Sequence, residues 1–116
     1  MNIQIFGTRK NRASQKAERW FKERGIPYHF VDMKEKGISP GELDSVARFI
    51  QLSELIDEDS QSYKKRGLAY MEFDIREELL EDPSLLKLPV VRNGKNDASL
   101  GLAEERWKQW IEEERR

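Results

Sequence analysis

The sequence predicts an α/β domain: a four-stranded mixed sheet with helices on both faces. Three observations predict it. A strand–helix–strand unit fills roughly the first 30 residues, a tight-turn signal stands at Asn93-Gly94, and an amphipathic helix closes the chain. A βαβ crossover favours a parallel pair whereas a hairpin is antiparallel, so a sheet holding both is mixed.

The first strand is carried by Ile3 and Ile5 alternating with Asn2 and Gln4, with Phe6 closing the run and Gly7 breaking it. Ala13, Ala17, Trp20 and Phe21 then recur at i, i+4, i+7 and i+8, the apolar stripe of an amphipathic helix that Gly25 is placed to end. Tyr28-His29-Phe30-Val31 reads as the second strand.

A helical insertion is expected over about 39–82. Ser39-Pro40-Gly41-Glu42 is a capping box with proline at the first helical position, followed by Leu43, Val46, Ala47 and Ile50 at helical spacing. The stretch 53–73 is less regular. Asp74 with Glu77 repeats the capping signature and opens a helix through Leu79 and Leu80 that stops near Asp82-Pro83. Leu88-Pro89-Val90-Val91 reads as the third strand with proline at its start, and the return strand ends near Leu100-Gly101. Ala103, Trp107, Trp110 and Ile111 mark the last helix and are expected in the core.

Composition narrows the function. With 116 residues the chain fits a single domain, 1–116. Its 22 acids and 21 bases leave a net charge of −1, which gives no reason to expect direct nucleic-acid binding. No run approaches the roughly 18 apolar residues of a membrane span. The start, Met1 to Phe6, reads as a strand and not as an export signal, so a cytoplasmic protein is expected. There is no cysteine, which excludes thiol and disulfide chemistry.

Five segments in order carry a resemblance. They are Phe6-Gly7-Thr8-Arg9-Lys10-Asn11, then Gln15-Lys16-Ala17 with Trp20, then Ser62-Tyr63-Lys64-Lys65-Arg66-Gly67-Leu68, then Asp82-Pro83 through Pro89-Val90-Val91, and finally Leu100-Gly101. Over nearly its whole length the chain resembles the arsenate reductase (ArsC) family and its Spx-type relatives, which have a thioredoxin-like fold. The resemblance implies a cis-proline at Pro89, and a catalytic cysteine where this chain has Asn11. Spx-type members often carry a second cysteine where Ser14 stands here. It also implies oxyanion-binding arginines at positions held by Leu88, by the Ser99–Leu102 region, and close to Asp57. None of these is arginine.

An amide cannot attack arsenate or form a mixed disulfide. Ser14 is no substitute, since an alcohol needs a general base and the lone His29 lies in a strand without a recognisable partner. No catalytic residue is therefore assigned, and no metal site, for want of a ligand set. The candidate ligand-binding residues are Arg9, Lys10, Asn11, Arg12, Ser14 and Pro89. The three cations beside open helix N–H groups could hold phosphate or the carboxylates of glutathione, or they are solvated side chains. Asn11 and Ser14 are ligand-binding remnants or an N-cap.

The expectation is a cysteine-less, redox-inactive binding or regulatory module needing no cofactor. Its partner would be a protein, and the Spx resemblance implies RNA polymerase. The alternative is an arsenate reductase-like or glutathione- and anion-binding protein of the same family. The charged runs Lys34-Glu35-Lys36, Asp57-Glu58-Asp59 and Lys64-Lys65-Arg66 are expected to be solvated; if one is an interface, it is Lys64 to Arg66.

Overall fold

A computed structural model describes residues 1–116. Strands β1 (Ile3–Gly7), β2 (Tyr28–Asp32), β3 (Val90–Asn93) and β4 (Asp97–Leu100) form one sheet in the order β2-β1-β3-β4. β1 and β2 are parallel, while β1–β3 and β3–β4 are antiparallel. This is the mixed sheet expected, with a thioredoxin-like order of elements. β1 and β2 each run one residue further than their apolar patterns suggest, because Gly7 still pairs with Asp32. β3 starts after Pro89, which has no N–H to give the ladder.

Successive side chains of a strand point to opposite faces, and that alternation divides the core in two. Ile3, Ile5 and Val91 meet Ala17, Trp20 and Phe21 of α1 (Arg12–Glu23) and Trp107 and Trp110 of α6 (Glu104–Arg115). Phe6, Val31, Val90 and Ala98 meet the insertion, including Leu43, Val46, Leu55 and Leu79.

The insertion holds α2 (Pro40–Ala47), α3 (Leu52–Leu55), α4 (Gln61–Lys65), a 3-10 turn (Leu68–Tyr70), α5 (Ile75–Glu81) and a second 3-10 turn (Pro83–Leu85). Both halves of the Ser39–Glu42 capping box form. Asp74 caps α5 by accepting from the Glu77 N–H at 3.1 Å.

The last helix is fastened through polar as well as apolar groups. Trp107 is fully buried, within 5.2 Å of Trp20 and 4.9 Å of Phe21 between ring centroids. A buried indole N–H needs an acceptor, and Trp107 Nε1 donates to Ser99 Oγ at 2.8 Å. Trp110 Nε1 donates to Asp97 Oδ2 at 2.9 Å, and Arg106 grips the same carboxylate with two bonds of 2.8 and 2.6 Å.

Burial pushes the Asp97 carboxyl upward, but the bonds from Arg106, Trp110 and the Ala98 N–H outweigh it and hold the group below its ordinary value. A carboxyl depressed in the folded state contributes stability above its unfolded pKa and loses it as pH falls through the folded one. Chemical denaturation should therefore show stability falling as pH drops below about 4, with part of that slope absent in Asp97→Asn. At neutral pH the same substitution should lower stability by about 1–2 kcal/mol, most of it from the lost bonds to the two α6 donors.

Candidate functional site

The turn from β1 into α1 carries the residues that matter. Asn11 is the N-cap of α1, in extended conformation at φ −75° and ψ 121°. An α-helix leaves its first N–H groups without partners inside the helix, and an Asn at this position satisfies one of them. Asn11 Oδ1 accepts from the Ser14 N–H at 2.7 Å and also from the Ser14 hydroxyl at 2.8 Å. Ser14 Oγ in turn receives the Thr8 N–H at 3.4 Å. Ser14 is fully buried, so these bonds are what make its hydroxyl tolerable there.

Gly7 is the complement of Ser14. A Cβ on Gly7 would overlap Ser14 Oγ and lie 2.7 Å from Ser14 Cβ, so only glycine lets the strand end pass this close to the helix. The Asn11 N–H donates to the Thr8 carbonyl at 3.3 Å. Of the first four amides, those of Arg12 and Ala13 remain open.

Facing this turn is the loop before β3. The Leu88–Pro89 peptide is cis, and the buried Pro89 carbonyl accepts from the Gly101 N–H at 2.8 Å. A short antiparallel bridge, Ile56 with Leu86, ties the insertion to the same loop, reinforced by Asp57 N–H to Leu85 carbonyl and Lys87 N–H to Leu55 carbonyl, both 2.7 Å. Between them lies a cleft of about 310 Å³ whose wall includes Asn11, Asp57, Ser84, Lys87, Leu88 and Gly101.

A family model described as "ArsC family" matches residues 6–110. The chain belongs to the ArsC family. Three solved structures resemble this ArsC-family chain along its length. One is the protein YFFB, with TM-score 0.80, 20% identity, and 93% of this chain and 97% of that one covered. Another is an arsenate reductase from Vibrio cholerae, with TM-score 0.77 and 19% identity, covering 91% and 94%. The third is an arsenate reductase (ArsC) related protein from Brucella melitensis, with TM-score 0.66 and 23% identity, covering 96% and 95%. At these identities the likeness is one of fold. No curated protein matches the chain.

Within this ArsC-family frame the structure sorts the candidate residues. Asn11, Ser14 and Pro89 come together at the turn and its facing loop. Arg9 does not join them. Its guanidinium stacks on the Phe30 ring at 4.0 Å and pairs with Glu18 at 3.3 Å, which turns it back along α1. Glu18 also accepts from the Tyr28 hydroxyl at 3.0 Å, and burial together with that bond raises the phenol above its ordinary value. Lys10 and Arg12 are exposed and make no ion pair. His29 is exposed on β2, and no group of three or more His, Cys, Asp or Glu converges as a metal site.

The cation that does line the cleft is Lys87, which sequence reading passed over in attending to Leu88 beside it. Asp57 lines the same cleft.

If the cap closes this site, Asn11→Ala should lower unfolding stability by about 1–2 kcal/mol, combining a lost N-cap with an orphaned buried hydroxyl. Asn11→Asp keeps the acceptor and places a negative charge at the positive end of the helix, so it should stay within about 0.5 kcal/mol of the parent or exceed it. Urea denaturation of the three proteins measures both.

Proposed function

We propose that this ArsC-family chain is a redox-inactive binding module of the cytosol that does not reduce arsenate. The observation that carries the reading is the closed Asn11–Ser14 pair at the head of α1. Where a nucleophile would need a free, polarised thiolate, this chain places an amide whose oxygen is already committed to two donors. The surroundings agree. Leu88 precedes Pro89 where the resemblance implies an arginine, and Asp57 adds negative charge to the cleft wall.

The same features argue against a small-anion or glutathione site as the main role. The open amides of Arg12 and Ala13 and the ammonium of Lys87 favour an anion, but Asp57 opposes one and Arg9 is engaged elsewhere. A protein partner needs none of the missing chemistry. Likeness to Spx-type regulators makes RNA polymerase the first partner to try, as an analogy of fold. No cofactor is required.

Arsenate turnover coupled to glutathione and a glutaredoxin is the test. The purified chain should give no rate above the protein-free blank, and Asn11→Cys should remain at background, because a thiol alone restores no oxyanion-binding arginine. Glutathione-dependent turnover by the unaltered chain would contradict the proposal.

A further inference from the structure

Helix α1 departs from the charge balance of the molecule. Residues 9–24 hold seven Lys or Arg against Glu18 and Glu23, in a chain whose net charge is −1. Arg12, Lys16 and Arg19 stand at i, i+4 and i+7, so they form one stripe about 10 Å long on one side of the helix. All three are exposed, and none has an acidic partner within ion-pair distance.

This arrangement works against the helix. Like charges three and four residues apart repel, and a cation in the first turn opposes the dipole. The first turn of α1 holds no acid to offset it.

A second observation lies beside the stripe. Leu102 is an exposed large apolar side chain, 44% accessible, in the loop between β4 and α6. With Lys16, Arg19 and the edge of Trp20 it borders a surface depression of about 270 Å³. Lys16 and Arg19 of the stripe therefore share this mostly charged depression with Leu102.

We propose that this face docks an acidic protein segment, with carboxylates along Arg12, Lys16 and Arg19 and an apolar side chain against Leu102. Charge complementarity identifies the partner's sign, and Leu102 identifies the apolar residue it must carry. A nucleic acid fits less well. Glu23 and Glu104 rim the same depression, so the partner's carboxylates belong on the stripe and its apolar side chain at Leu102, whereas an exposed leucine offers a phosphate backbone nothing. The inference rests on reading the chain as a binding module and specifies where that module binds.

The experiment uses fluorescence anisotropy of a short labelled peptide rich in Asp and Glu around a pair of leucines. A sequence-neutral DNA duplex serves as competitor. Binding by the whole chain is expected to saturate and to weaken as salt rises. It should fall at least about tenfold in Arg12→Gln/Lys16→Gln/Arg19→Gln and about threefold in Leu102→Ser.

Removing the repulsion should at the same time raise the melting temperature of the triple variant by about 2–4 °C, so lost binding cannot be put down to lost folding. No binding to the peptide, binding unchanged in the triple variant, or tighter binding to the duplex would each overturn the proposal. Arsenate turnover would remove the module reading itself, whereas a failed titration without turnover removes only this docking face.

Discussion

One oxygen atom, Asn11 Oδ1, holds together the junction on which the rest of the site is built. By accepting from both the amide and the hydroxyl of Ser14, it ends the turn, starts α1, and satisfies a polar side chain that is wholly buried. Because Ser14 is satisfied there, α1 can approach β1 so closely that Gly7 has no room for a side chain. Gly7 then stays in register with Asp32, which fixes where β2 ends. A methyl in place of the Asn11 amide would leave the buried hydroxyl without its acceptor.

The chemical consequence follows from the same bonds. A position used for a nucleophile must expose a reactive atom and stabilise its charged form. Here the corresponding side chain uses its acceptor structurally, and the Ser14 hydroxyl donates a hydrogen bond to that same oxygen. The turn keeps two open amides, facing the cis peptide before Pro89. Asp57 stands on the cleft wall beside Lys87, Arg9 is held by Glu18 and Phe30, and Arg12, Lys16 and Arg19 are unpaired on the exposed side of α1.

Much of this was legible in the sequence because the controlling interactions are short in range. The capping box at Ser39, the apolar stripes of α1 and α6, and the Asn93-Gly94 turn each lie within a few residues of what they determine. The N-cap role of Asn11 was legible for the same reason. What could not be read depends on segments far apart in the chain. Asp57, Lys87 and Asn11 share a cleft only because the Ile56–Leu86 bridge folds the insertion onto the loop before β3. The direction of Arg9 was decided by an acid nine residues on and by a ring on β2. Even the end of β1 belonged to its neighbour, since a glycine that breaks an apolar pattern is no obstacle to ladder hydrogen bonds.

The central claim is that the head of α1 is a structural cap and not a site for oxyanion or thiol chemistry. Backbone-amide NMR during titration with arsenate, and separately with glutathione, tests that claim at the atoms concerned. The account predicts that the amide resonances of Arg12, Ala13 and Ser14 show no saturable shift with either ligand. A saturable shift confined to those three amides, lost in Asn11→Ala while the protein stays folded, would contradict it.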